Sequence, residues 1–382
     1  MKDRRQDTNL RMRPFRFAAL TLAALVVLSL GFALNPAEKP APAEPSFSER
    51  ARSAALSGAM DLRTAALELA SSGSTDSTIV EPVVTLLTIQ ARALAGPVPK
   101  SVPASPSPSP TTGPSSAGPP SAGHQTAGLQ TAADLVQALA ASGTARVKDA
   151  ETADGGMARL LAGTGTAQLL AAARLAGAAG VPAPQGLAGT DERASGAAIT
   201  SPCPSLSASA DARETSGPGA AAGTRQALAG AVTAEQQATY GYQAALPRLA
   251  PAEAGPASEF LVRHKEQAAA AEKRLRSACG ASVPQEPGYV LDPGFLAAPA
   301  AGLGRLEVAT LAAYGDIVAV SQGPDRTWAL SALQSAAARA LRWGADTGPV
   351  PGLSLDVDQL PPLPAGAARP TGIGAAPSPA AS

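Results

Sequence analysis

The clearest helical pattern in this chain lies in residues 225–249, which read RQALAGAVTAEQQATYGYQAALPRL. Seven positions recur here at alternating steps of four and three residues, the spacing that keeps side chains on one face of an α-helix. Glu235 falls on that face, so its carboxylate is predicted to point inward. The seam consists of Leu228, Val232, Glu235, Thr239, Tyr242, Leu246 and Leu249.

Three further helices are predicted after this one. They cover residues 258–278, residues 302–320, and a last segment for which Asp325 is the predicted N-cap. His264 and Glu307 fall on the inward faces of the first two. Four amphipathic helices of this length predict an antiparallel bundle. The inward positions are Leu261, His264, Ala268, Ala271, Leu275 and Ala278; Leu303, Glu307, Thr310, Tyr314 and Ile317; and Ala329, Leu333, Ala336, Ala340 and Trp343.

A long connection joins the second and third helices of the predicted bundle. It comprises residues 280–299, GASVPQEPGYVLDPGFLAAP, and connections of this length often carry a crossover. A crossover between the second and third helices is the topology of ferritin-like bundles. The predicted fold class is therefore all-α, with a ferritin-like antiparallel four-helix bundle.

Residues 225–352 resemble the ferritin-like domain of unknown function found in exported or membrane-anchored envelope proteins of high-GC bacteria. The resemblance rests on the order and spacing of ALAGAVTAEQQATYGYQAALPRL, RHKEQAAAAEKRL, PGYVLDP, RLEVATLAAYGDIVA and SAAARALRWG. It covers about a third of the chain and implies a ferritin-like fold with no established activity.

The metal chemistry of such bundles can be tested against these residues. A di-iron site takes a Glu from each of two helices and a Glu-x-x-His motif from each of the other two. Here Leu261 stands three residues before His264, and residues 327–342 contain neither Glu nor His, so no complete di-iron site is predicted. For Glu235, His264 and Glu307 two interpretations stay open. They satisfy one another as a buried polar core, or they hold one metal ion.

Other site chemistry has little support in the sequence. The chain has two His, and His124 lies in a Pro/Ser-rich stretch, so no Ser/His/Asp or Cys/His arrangement is indicated. Lys plus Arg and Asp plus Glu each number 30, which argues against a nucleic-acid partner. We predict no catalytic and no cofactor-binding residues. The expected function is a non-catalytic structural or interaction module with a cell-wall or protein partner; the alternative is a metal-binding or oxidoreductase domain.

The N-terminus predicts membrane targeting. Six basic residues precede an uncharged run at residues 17–34, FAALTLAALVVLSLGFAL. At the helical rise this run measures roughly 27 Å, close to the ~30 Å hydrocarbon core of a bilayer. The basic flank predicts a cytoplasmic N-terminus and an extracytoplasmic remainder. Secretion after signal-peptide cleavage at residues 41–43 is the alternative, although the run is longer than a usual signal-peptide core.

Composition divides the rest of the chain. Ala, Gly and Pro number 89, 37 and 36, so helical stretches rich in Ala alternate with linkers rich in Gly and Pro. The predicted segments are a basic tail (1–16), the anchor (17–34), a helical hairpin (46–95), a disordered Pro/Ser linker (96–130), a degenerate helix pair packed beside the bundle (131–181), a linker (182–223), the bundle (224–352) and a disordered tail (353–382).

The two cysteines, Cys203 and Cys279, fit an exported location. Their disulfide would close a loop of about 76 residues and contribute about 3 to 4 kcal/mol. No CxxC spacing exists, which argues against redox catalysis. Two unpaired thiols remain the alternative.

Overall fold

The computed structural model describes residues 22, 25, 44–73, 75–96, 129–184 and 218–364. Every regular element in those ranges is a helix, which confirms the all-α fold class. The chain divides into two compact units, Met1–Pro45 and Ser46–Ser382. The predicted anchor at 17–34 lies outside the described residues except for Leu22 and Leu25, which are helical and exposed.

The first two described helices form a hairpin. α1 spans Phe47–Ser71 and α2 spans Ser77–Ala95, and each begins at a residue whose side chain accepts a hydrogen bond from the first turn. The guanidinium of Arg52 in α1 donates to the carbonyls of Leu94 and Ala95 at 2.9 and 3.2 Å. These contacts satisfy carbonyls at the end of α2, so the two helices are joined at their far ends as well as at the turn.

Among the described helices, α2 has the length and composition of a membrane span. The core helix of a water-soluble fold has the same properties, so they do not assign a span on their own. One face of α2 packs in an apolar cluster that includes Val80, Val83 and Leu87. On that face Gln90 is buried and donates to the carbonyl of Thr164 at 3.2 Å.

A second hairpin, which we call the helix pair, consists of α3 (Ala132–Thr152) and α4 (Gly155–Ala179). The two backbones touch where Gly143 meets Gly165, because a Cβ on Gly165 would stand only 2.6 Å from the carbonyl oxygen of Gly143. The sequence predicts this pair beside the bundle, and α4 packs against the bundle as well as against α1 and α2. Residues from all three regions share one apolar cluster.

The bundle follows as four long helices. α5 packs against α6 and α8, α8 packs against α9, and α6 contacts α9, whereas α6 and α8 are not a closely packed pair. The connection from α6 to α8 therefore crosses the bundle. The bounds are α5, Pro218–Ala245; α6, Pro251–Ser277; a short α7, Pro293–Ala297, within the connection; α8, Pro299–Val320; and α9, Gly323–Arg342.

The predicted N-cap at Asp325 is wrong. α9 begins at Gly323, and the carboxylate of Asp325 in the first turn pairs with Arg274 of α6 at 3.3 Å. Pro324 is compatible with the first turn of a helix because its nitrogen needs no hydrogen-bond partner there. The helix therefore begins before the residue that was predicted to cap it.

A segment without α-helix, residues 344–364, follows α9, and we call it the strap. The sequence predicts disorder from residue 353, but the described part of the chain continues to residue 364 and includes a 3₁₀ turn at Val357–Gln359. Side chains of earlier helices hold its backbone, which the composition of the segment could not reveal. Gln90 donates to the carbonyl of Pro349, Arg159 to that of Gly352, and Arg92 to those of Leu360 and Pro361.

Candidate functional site

Four ionisable side chains, one from each long helix of the bundle, meet in its interior. Glu235 of α5, His264 of α6 and Glu307 of α8 are each 0% exposed, and Arg339 of α9 is 6% exposed. We call this group the ion network. The structure thus brings together the three inward polar residues indicated by the sequence and adds a fourth.

His264 lies between the two carboxylates. Its Nδ1 is 2.7 Å from Oε2 of Glu235, and its Nε2 is 3.0 Å from Oε1 of Glu307. When both ring nitrogens carry protons, each donates to a carboxylate on the opposite side of the ring. The imidazolium form therefore satisfies both contacts at once.

Arg339 balances the second carboxylate. Its Nε donates to both oxygens of Glu307 at 3.0 Å. Its Nη2 is buried and has no hydrogen-bond partner among the described residues. With His264 protonated, two carboxylates face two cations, so the network is neutral overall. A neutral arrangement reduces the cost of burying charge, which is high for an ion without a partner.

Two tyrosines complete the network symmetrically. Tyr242 of α5 donates to Oε1 of Glu307 at 2.6 Å, and Tyr314 of α8 donates to Oε1 of Glu235 at 2.5 Å. In each helix the tyrosine follows the glutamate by seven residues. Each tyrosine donates its hydrogen bond to the glutamate of the other helix. This reciprocal pairing requires α5 and α8 to run antiparallel.

An aromatic layer flanks each tyrosine. Trp343 donates from Nε1 to the hydroxyl of Tyr242 at 2.6 Å. On the other side, the ring of Trp328 meets Tyr314 edge-on with a centroid separation of 5.6 Å, and its Nε1 donates to Gln267 at 3.1 Å. These contacts fix the tyrosine rings, so each hydroxyl is held against its carboxylate.

The electrostatics agree with a charged network. Burial opposes protonation of His264, but the Glu307 and Glu235 carboxylates outweigh it and raise the pKa of His264 to about 9. Burial likewise opposes ionisation of Glu307, yet the charges of Arg339 and His264 lower the pKa of that carboxyl. Burial and the neighbouring Glu307 raise the pKa of Tyr242, which therefore stays a neutral donor. At neutral pH His264 is therefore an imidazolium, and the Glu307 carboxylate faces both this cation and the guanidinium of Arg339.

This donor set does not fit the di-iron site of ferritin-like bundles. The fourth helix contributes the cation Arg339 where such a site needs a carboxylate and a histidine. The two nitrogens of His264 face different carboxylates on opposite sides of the ring. One imidazole nitrogen and both carboxylates therefore do not converge on a single point where a metal ion could bind. Within the described ranges, no group of three or more His, Cys, Asp or Glu is arranged to hold a metal ion.

Sequence reasoning missed Arg339 because the fourth helix was searched only for Glu and His. A signal existed, since residue 339 directly precedes the inward position Ala340 and lies three residues after the inward position Ala336. Arg326 was missed in the same way: its side chain is buried and donates to the carbonyl of Ala153 at 2.5 Å.

Cys279 is disulfide-bonded and lies just after the C-cap residue of α6, with a positive φ of 59°. The chain's other cysteine, Cys203, lies outside the described residues. The pairing of these two cysteines therefore stays a prediction.

Comparison with known proteins finds one similarity. Residues 227–355 match a family described as a domain of unknown function, DUF4439. This match supports an uncharacterised domain in the C-terminal third and includes all four members of the ion network. No curated protein and no solved structure matches the chain.

Proposed function

We propose that this protein is a membrane-anchored envelope protein that displays a non-catalytic, ferritin-like helical bundle as a structural or interaction module. In this proposal the ion network occupies the position where ferritin-like enzymes hold metal. Its role is to fix the four helices relative to one another, so that their outer faces keep a defined shape for a partner.

The observation that carries the proposal is the position of His264 between Glu235 and Glu307, together with Arg339 against Glu307. A metal ion would have to compete with the proton on an imidazole nitrogen and with a guanidinium already bonded to both oxygens of one carboxylate. Because the network is neutral and nearly saturated with hydrogen bonds, it offers little driving force for an additional divalent cation.

Metal analysis tests this proposal against the alternative of a metal-binding or oxidoreductase domain. The full chain, purified from its own host, is analysed for its elements and then titrated with Fe²⁺, Mn²⁺ and Zn²⁺. We expect no stoichiometric metal. One equivalent that persists in a His124→Ala control and disappears in His264→Ala would contradict the proposal and favour the alternative.

The anchor rests on the basic flank and uncharged run of residues 1–34. Cell fractionation of the full chain and of a variant lacking residues 1–34 tests it. We expect the full chain in the membrane fraction, with its C-terminal part accessible to protease from outside, and the shortened chain in the cytosol. Recovery of the full-length chain from the culture medium at a mass reduced by about 40 residues would favour the cleaved signal peptide.

The partner class is tested separately from the anchor. The full chain is incubated with purified cell-wall material and, in parallel, crosslinked in intact cells. Retention on the wall material supports a wall partner, and a reproducible crosslinked protein supports a protein partner. If neither occurs, the interaction role is contradicted, and a purely structural role remains.

A further inference from the structure

The fold also contains a groove whose lining shares no residue with the ion network. It is a groove of about 640 Å³ between α2, α4 and the first residues of the strap. Small-molecule sites in proteins typically occupy 300 to 1,000 Å³ and are lined mainly by apolar side chains. The apolar lining includes Ile79, Val83, Leu86, Ile89, Leu170 and Leu175.

The unusual composition of α2 supports an apolar occupant. Only 33% of its most apolar 18-residue window is buried, although its hydropathy reaches that of a membrane span. Leu86 and Ile89 are partly exposed and line the groove. A helix of a water-soluble protein normally has polar residues on its outward face. An outward apolar face therefore indicates a surface to which another molecule binds.

The groove has a closed end and an open end. At one end Gln90 of α2 donates to the carbonyls of Thr164 in α4 and Pro349 in the strap, which closes the space between the helices. The lining residues of α2 all precede Gln90 in the sequence, and those of α4 all follow Thr164. The two helices therefore run in opposite directions beside the groove. The open end, near Glu81, lies about 14 Å from Gln90.

The open end carries one charge of each sign. Arg174 of α4 and Glu81 of α2 both line the groove and are exposed. Neither forms an ion pair within 4.0 Å with any residue that the structure describes. The third charged lining residue, Asp346, belongs to the strap, where its Oδ1 accepts a hydrogen bond from the backbone of Gly348 at 2.9 Å. The open end therefore presents an unpaired cation and an unpaired anion on facing helices.

We propose that this groove binds a single-chain amphiphile with a zwitterionic head group, whose apolar chain lies between α2 and α4 and whose two charges meet Arg174 and Glu81. An apolar chain covers the outward face of α2, and removal of that face from water supplies most of the affinity. The anionic group of the ligand pairs with Arg174, and its cationic group pairs with Glu81. A ligand with one charge leaves one of these residues unpaired.

Three ligands with the same dodecyl chain test the match of charges. N-dodecyl-N,N-dimethylglycine is zwitterionic, dodecanoate is anionic and dodecyltrimethylammonium is cationic. Each is titrated calorimetrically, below the concentration at which it forms micelles, into the full chain kept free of detergent. We expect one zwitterion per chain, bound about fivefold more tightly than either singly charged ligand, because exposed ion pairs contribute modestly.

Variants of Arg174 and Glu81, which we call the rim variants, test which charge of the ligand pairs with which residue. Arg174→Ala should remove the advantage of the zwitterion over the cation, and Glu81→Gln should remove its advantage over the anion. Arg342→Ala is the matched control, since Arg342 is also exposed but does not line the groove. Unchanged ligand preferences in both rim variants would overturn the proposal.

A filling variant tests the location. Thr85 is exposed and lines the groove, so Thr85→Trp should occupy part of it and weaken zwitterion binding at least tenfold. Leu67→Trp changes an exposed residue outside the groove and should leave binding unchanged. Circular dichroism of both variants checks the fold. Equal affinity for all three ligands, or binding only to phosphatidylcholine vesicles and to no monomeric ligand, contradicts the proposal.

Discussion

The helix pair and the bundle are both built from Ala-rich helices, but they fill the space between those helices in opposite ways. In the helix pair the two backbones lie in contact at Gly143 and Gly165, so little space is left between the helices. In the bundle the interior between the helices instead holds the buried side chains of Glu235, His264 and Glu307 with their partners. A chain with 3% aromatic residues has few aromatic side chains with which to fill such a space. The packing of the helix pair therefore depends on the small size of its glycines, and the packing of the bundle depends on the balance of buried charges.

Breaking the charge balance should have the largest effect. Glu307→Ala removes the carboxylate shared by Arg339, His264 and Tyr242 and leaves two buried cations with one anion. Loss of one partner from a buried ion pair typically costs 3 to 5 kcal/mol, so we expect a decrease of about that size in the free energy of unfolding.

Urea unfolding of the full chain measures this effect. Glu266→Ala is the control, because Glu266 is exposed and pairs with Arg263 of the same helix. We expect a change within about 0.5 kcal/mol for that variant. A loss below about 1 kcal/mol in Glu307→Ala would show that the network contributes little.

The second-largest effect should be the pH dependence of the free energy of unfolding, which arises from His264 in the bundle. The pKa of His264 is raised from an ordinary value near 6.5 to about 9, so the folded state binds more protons than the unfolded state between these values. This stabilisation is fully present below pH 6.5 and is lost as the pH rises through 9. The total loss is about 3 kcal/mol, at up to about 1.4 kcal/mol per pH unit.

Unfolding free energies measured from pH 6 to 10 check this titration. The decrease should persist in His124→Ala and vanish in His264→Gln. The lowered pKa of Glu307 acts at the other end of the range, since its stabilisation is present above the ordinary carboxyl pKa and is lost as the pH falls through the lowered value. A stability that is flat from pH 6.5 to 9 contradicts a charged His264.

The two tyrosines sharpen the comparison within the bundle. Tyr314→Phe removes one hydrogen bond to a carboxylate, which typically contributes 1.5 to 3 kcal/mol, so we expect a loss of about 2 kcal/mol. Tyr242→Phe removes the equivalent bond and also leaves Nε1 of Trp343 without its acceptor. Tyr242→Phe should therefore cost more than Tyr314→Phe, and equal losses in urea unfolding would contradict this asymmetry.

These regions also differ in how far the sequence predicts them. Glu235, His264 and Glu307 could be found because the four-three spacing of a bundle seam shows which side chains face inward. Arg339 was not found, because arginine is normally exposed and its burial depends on a carboxylate 32 residues away. Gly143 and Gly165 could not be singled out among 37 glycines, because periodicity does not show where two backbones meet. The strap escaped prediction for a similar reason, since its order depends on donors from earlier helices.

The glycine contact gives the smallest predicted effect but a distinctive sign. Gly165→Ala gains about 1 kcal/mol of helix propensity, yet its Cβ collides with the carbonyl of Gly143, and overpacking costs about 1 to 3 kcal/mol. We expect a net loss of about 1 kcal/mol, with no change in pH dependence. Gly177→Ala in the same helix meets no atom within 4 Å and should stabilise the chain by about 0.5 to 1 kcal/mol. Because the same substitution in α4 is predicted to change sign with position, two stabilising outcomes would show that the close approach of α3 and α4 is not required.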